Sequence, residues 1–346
     1  MEEGCCFSKK DTNIVKGIAI LAMILHHVYP NSTGTPIYML DNKNIIGIVA
    51  SCGKICVSLL TILSGFGLTE SFKKVKTRGK FKNTKFVLSH LIQLFSVYWS
   101  IFGVALLVML AEGNSISSLY GSGIEGIVFF IADFLGVAAL FKSTALIGAW
   151  YLTTIIFFYI IFPLLYYVVN KIGVFILLLA YVPWIYYIIE SNANLHTDWW
   201  LFYIFSFLLG IYLSNENILN RLYKISYEKG LIISIVVFLV SVILRLYITL
   251  PIDPFLSVSI IVLEIFVFSK IRLVAAFLKE CGIQSANIWL IHPVIIYTVN
   301  TVYFRTSFSK FIFVMFISMA VSLLIEKIKN DISINEWTKQ LRKKII

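Results

Sequence analysis

Charge is scarce in this chain, and acid is scarcer than base. Its 346 residues hold 18 Asp and Glu against 29 Lys and Arg, and charged residues make up only 14%. An ordinary soluble domain is about one-quarter charged, so a conventional water-facing surface is excluded. Cysteine is sparse as well. Cys5, Cys6, Cys52, Cys56 and Cys281 form no CxxC and no Cys/His ligand spacing, so no disulfide framework and no resident metal are expected. Cys52 and Cys56 share one face of an apolar stretch and read as small packing residues. There is no internal repeat and no pair of matching broken halves, which argues against the commonest transporter architectures. Gly53-Lys54 lacks the rest of a phosphate loop, so no nucleoside-triphosphate site is implied.

Apolar sequence fills the space instead. Hydrophobic residues reach 59% and the mean hydropathy is +0.88. Stretches long enough to span a bilayer fall at 14–29, 44–70, 86–111, 147–169, 172–190, 197–214, 229–249, 254–271, 284–304 and 309–328. An eleventh, 124–141, contains Glu125, Asp133 and glycines, and reads as a non-spanning element of the outer segment 112–146. The fold expected is all-α: a single transmembrane domain over 1–346 with about ten helices. The first stretch follows acidic Glu2 and Glu3 with no small-residue cleavage site before Pro30, unlike a secretory signal.

Base placement sets the orientation. With the N-terminus cytoplasmic and ten spans, 22 of the 29 Lys and Arg fall inside, seven of them between Lys73 and Lys85 in the loop 71–85. That bias is what the positive-inside rule requires. Both termini are then cytoplasmic, in a multi-pass protein of the cell membrane. The net charge of +11 becomes a topology signal, with membrane lipid rather than nucleic acid as the partner.

Within the first stretch, Lys16 and His27 stand eleven residues apart. Eleven steps make three helical turns plus about 20°, so the two share a face, with His27 about 16 Å further along the axis. His26 points about 80° away. Ionisable groups inside a bilayer are costly and face a cavity or a partner, so the pair is a candidate site. The plainer alternative is that Lys16 snorkels to the interface and His27 is a satisfied core histidine. Glu264 and His292 are the other ionisable groups deep in apolar stretches, available to pair or to line a cavity.

Four local patterns together resemble the acyltransferase-3 family of membrane acyltransferases. The family's opening helix carries an arginine, ten residues, then a histidine, and this chain has Lys16 and His27 at that spacing. Leu63-Ser64-Gly65-Phe66 is similar to the family's FFxLSGF segment and is followed by the basic loop. Trp150-Tyr151-Leu152 leading to Phe162-Pro163-Leu164-Leu165 resembles WFL…YPLL. Ser285 to Pro293, with Ile288-Trp289-Leu290-Ile291-His292, resembles the late S-x-x-I-Y-L-I-H-x-P helix. One departure is the lysine at 16, which keeps the charge but loses the planar fork that grips phosphate.

The resemblance implies transfer of an acyl group, typically acetyl, from its coenzyme A thioester to a hydroxyl of a glycan or another envelope molecule. The thioester is then a donor substrate and no permanently bound cofactor is implied. In that reading His27 is the general base, held neutral by burial, or a transient acyl carrier. Lys16 contacts the donor's phosphates. Lys73, Lys74 and Arg78 are further donor contacts or plain topology anchors. His26 orients or packs, Ser64 allows close packing or touches substrate, and Trp150 is an interfacial anchor or a cavity wall. The rival reading is a proton-coupled transporter with His27, Glu264 and His292 as its relay.

Overall fold

The computed structural model describes residues 6–29, 39–40, 43–44, 49–50, 52–76, 83–141, 150–190, 199–248, 252–299 and 306–345. Arg78 and most of the loop beyond it lie outside this set. Apart from one antiparallel hairpin, Met39–Leu40 with Lys43–Asn44, the regular structure is helical. The order is α1 (Lys9–Val28), α2 (Ile55–Lys76), α3 (Asn83–Ala111), α4 (Ile116–Tyr120), α5 (Gly123–Phe134), α6 (Trp150–Ile172), α7 (Phe175–Glu190) and α8 (Trp199–Asn215). It continues with α9 (Ile218–Leu222), α10 (Tyr227–Ile248), α11 (Asp253–Phe266), α12 (Arg272–Ile283), α13 (Ser285–Thr298), α14 (Ser307–Asp331) and α15 (Ile334–Ile345).

Each of the ten apolar stretches holds one helix. Among the described residues α2, α3, α6, α10 and α14 are long and apolar enough to cross a membrane. The α5 helix spans 12 residues, about 18 Å, against a hydrocarbon core of about 30 Å. Tyr98 donates to its Asp133 carbonyl at 2.5 Å and Tyr120 to the Asp133 carboxylate at 3.0 Å, which ties it to α3 and α4.

Local chemistry starts α1 where it does. Ser8 caps it: its hydroxyl accepts from the Lys10 and Asp11 amides, while the Asp11 carboxylate accepts from the Ser8 amide at 2.7 Å. Such a capping box satisfies amides that a helix start leaves orphaned.

Two pairs of helices then approach to backbone contact. Gly65 of α2 lies against the Phe207 carbonyl of α8, and Gly210 of α8 against the Ile62 carbonyl of α2. Gly17 of α1 and Gly282 of α12 repeat the reciprocal arrangement through Leu278 and Asn13. A Cβ at any of the four would collide with backbone. Small residues are how helices gain van der Waals packing in lipid, where apolar burial drives nothing.

Around these contacts lie two buried clusters. One, from α1, α2, α3, α11 and α13, holds Ile24, Leu59, Tyr98, Ile261 and Ile291. The other is an aromatic block from α2, α3, α6 and α8, in which Phe72, Phe86, Phe162 and Phe207 meet mainly edge to face. The first cluster fixes α1 against α13, and that contact creates the site.

Candidate active site

His27 and His292 meet although 265 residues separate them. His27 Nδ1 lies 2.8 Å from His292 Nε2, and the rings stack with centroids 5.0 Å apart at 24°. His292 is buried at 1% exposure, whereas His27, in the last turn of α1, is exposed. The burial expected around His27 therefore belongs to its partner. The reason is register: α1 ends at Val28, one residue beyond His27, so there is no further turn to enclose it.

The pair's proton arrangement follows from the backbone of α13. Pro293 sits inside that helix and has no N–H, so the carbonyl four residues back, Trp289, loses its helical donor. The His292 side chain takes that vacancy. Its Nδ1 donates to the Trp289 carbonyl at 2.7 Å and lies 3.1 Å from the Ile288 carbonyl. A carbonyl can only accept, so Nδ1 carries the hydrogen and Nε2 of neutral His292 carries the lone pair. His27 Nδ1 must then donate to it, which places the lone pair of neutral His27 on Nε2. That nitrogen is the one equipped to take a proton. The histidine-proline dipeptide was the sequence signal for this arrangement; nothing in the spacing pointed to His27 as its partner.

The other candidate residues arrange around this pair or lie away from it. His26 turns aside, its Nδ1 donating to the Ala50 carbonyl at 3.1 Å and tying α1 to the turn before α2. Tyr151 meets Trp289 edge to face at 5.3 Å and hydrogen-bonds Thr61 at 2.9 Å, linking α6 to α13 and α2. Trp150 packs against Tyr203 at 5.9 Å. Ser64 donates to its own helix, at the Leu60 carbonyl, 2.8 Å away.

Glu264 lies elsewhere. It is fully buried beside Asp11, near Lys10 and Lys270. Asp11 and His27 are sixteen residues apart on one helix, about 24 Å along its axis, so Glu264 is remote from the histidines. Tyr223 completes that cluster. Burial and the Asp11 and Glu264 carboxyls push its hydroxyl pKa up, so it stays a neutral donor.

Lys16 is half-buried on α1 beside the Gly17 contact with α12. Among the described residues no carboxylate pairs with it, and the charge acting on it is that of another cation, Lys9. Lys73 is differently placed. Its ammonium donates to the Ser214 carbonyl at 2.7 Å and to Glu70 at 3.3 Å, while Ser214 donates to Glu70 at 2.6 Å. It closes the carboxyl end of α8, where cations are favoured. Lys74 is exposed at the end of α2.

A second polar cluster, near His26, was not singled out in the sequence. Arg245 of α10 and Asp253 of α11 form a buried ion pair that joins the two helices. Lys54 and Arg245 both act on His26, and Asp253 acts on Lys54. The available signal was an arginine at the end of one apolar stretch facing an aspartate at the start of the next. Among the described residues no group of three His, Cys, Asp or Glu is placed to hold a metal ion.

Long apolar helices packed around a backbone-held histidine pair fit an all-α membrane protein. The acyltransferase-3 family model, described as an acyltransferase domain, matches residues 10–327, and the chain belongs to that family. It is therefore an acyltransferase acting with groups other than aminoacyl groups. The match runs from the first turn of α1 into α14 and leaves α15 outside. No curated protein and no solved structure matches the chain.

Proposed function

We propose that this acyltransferase moves an acyl group, acetyl in the simplest case, from acyl-coenzyme A to a hydroxyl of a cell-envelope glycan or related acceptor, with His27 as its general base. The observation that carries the reading is the 2.8 Å contact to His292, whose own Nδ1 is fixed on the Trp289 carbonyl. An alcohol is a poor nucleophile until a base takes its proton, and a positioned neutral imidazole supplies that base. His27 Nε2 takes the acceptor hydroxyl's proton as the oxygen attacks the thioester carbonyl. The imidazolium then returns the proton as the thiolate of coenzyme A leaves. The same nitrogen is the atom that would carry the acyl group in a two-step route.

Lys16 meets the donor's phosphates, since a half-buried cation that pairs with no carboxylate among the described residues calls for an anion. Lys74 and Arg78 extend that contact from the loop, while Lys73 holds the loop to α8. The offset of about 16 Å between Lys16 and His27 suits a coenzyme whose phosphates stay at the cytosolic face while its arm reaches inward. Glu264 stands with Asp11 and away from both histidines, which weighs against the relay of the transporter reading.

Incubation with acetyl-coenzyme A labelled in the acetyl group tests the reading. Label should pass to an acceptor or to the protein itself; uptake without covalent labelling would establish a carrier. We further propose ten spans in the cell membrane with both termini cytoplasmic, on the strength of the basic bias. Reporter fusions at Lys80 and Leu195 should read inside and outside respectively. Both on one side would overturn that topology.

A further inference from the structure

The proposed chemistry makes no use of α15, which also lies beyond the family match. Its residues divide cleanly. Ile334, Trp337, Thr338 and Leu341 recur at the three- and four-residue spacing of one helical face, while the rest of the helix carries four bases, Lys339, Arg342, Lys343 and Lys344, and one acid, Glu336. A helix with one apolar and one strongly basic face lies in a membrane interface.

Here it also packs against α3. The Arg342 Nε donates to the hydroxyl of buried Ser89 at 3.1 Å, which pins the two helices together at that end. Between them a groove of about 600 Å³ remains open. On the α3 side it follows Leu88, Leu91, Phe95 and Trp99, and on the α15 side Ile334, Trp337 and Leu341. That volume lies within the range of about 300–1,000 Å³ found for small-molecule sites. From Leu88 to Ser100 the groove follows α3 for about 18 Å, a little more than the roughly 15 Å depth of one leaflet's hydrocarbon.

The walls are almost entirely apolar, while the Arg342 end of the groove is basic. Lys344 is exposed and flanks the Trp337 side of the groove face, and Lys85 is exposed one turn before Ser89 on α3. A ligand matching this surface has a long apolar chain and an anionic head. We propose that the groove binds one acyl chain of an anionic phospholipid of the cytoplasmic leaflet, with the headgroup held by Lys344 and Lys85. The site is specific because lipid that merely surrounds a helix bundle needs no charge match. It also accounts for a basic C-terminal helix that touches neither histidine.

The test uses the purified full chain in mixed micelles containing phosphatidylglycerol or phosphatidylcholine brominated on the acyl chain. Bromine quenches tryptophan at contact range. The chain has seven tryptophans, so the signal is the part of the quenching that disappears in Trp337→Phe. Each basic residue near an anionic lipid surface is worth about fivefold in affinity. Phosphatidylglycerol should therefore reach half-quenching at a mole fraction at least fivefold lower than phosphatidylcholine. The exposed double substitution Lys85→Gln/Lys344→Gln should bring the two lipids within about twofold of each other. Equal quenching by both lipids in the wild type would overturn the proposal, leaving ordinary surrounding lipid. So would a preference that survives the double substitution, or a long-chain acyl-coenzyme A that displaces both lipids alike.

Discussion

Replacing His27 by alanine should cut turnover at saturating donor by about 10²–10⁴-fold, the usual worth of a positioned general base. The same change at His26 should cost far less, because that ring is spent on the Ala50 carbonyl and points away. His292 should behave as a positioning residue. Without its Nε2, His27 loses the acceptor that fixes its tautomer, and wrong-tautomer enzymes of the triad type lose rate steeply. His292→Gln, whose side-chain oxygen can also accept from His27, should recover part of what His292→Ala loses. The double substitution should be little worse than His27→Ala alone, since residues that act as one unit are not additive. The measurement is acyl transfer by equally folded purified variants. If His27→Ala keeps near-wild-type turnover while His292→Ala abolishes it, the catalytic centre belongs to α13 and His27 is the support.

Lys16 should act on the other substrate. A charge-assisted hydrogen bond is worth about 1.5–3 kcal/mol, so Lys16→Gln should raise the donor KM about 10- to 100-fold with a smaller effect on kcat. Lys16→Arg should preserve donor binding or improve it, because a guanidinium grips phosphate with two parallel bonds. The two variants separate a phosphate contact from a snorkelling side chain. Donor KM indifferent to both changes would make Lys16 an anchor only.

The apolar stretches were legible because each is a long run bounded by charge or proline, and each holds a helix. The shared face of Lys16 and His27 was equally legible, being arithmetic within a single helix. Contacts between helices were not. Nothing local says that α1 meets α13, and the histidine pair depends on that meeting. His292 was visible as an ionisable residue in an apolar run, yet its role depends on what Pro293 does to the Trp289 carbonyl. Glu264 looked equivalent to His292 by burial and chemistry, and only the packing separates them, one beside Asp11 and the other beside His27. The basic segment after Lys327 read as a cytoplasmic tail. Its amphipathic period was in the residues, but the groove needs α3 as its second wall.

The α11 and α13 helices are only 14 residues each, about 21 Å against a hydrocarbon core of about 30 Å. In the proposed topology both stand as spans beside far longer neighbours such as α3 and α14, of 29 and 25 residues. In that topology the low-dielectric barrier is thin where they pack, and it is α13 that carries His292. A group arriving from one face and a group arriving from the other then have less oil to cross before they meet. The surrounding lipid must thin or tilt to match that waist, at a cost of fractions of a kcal/mol per ångström. With α11 and α13 as spans, bilayer thickness becomes a physical variable of this enzyme, set by the membrane it inhabits as much as by its own side chains.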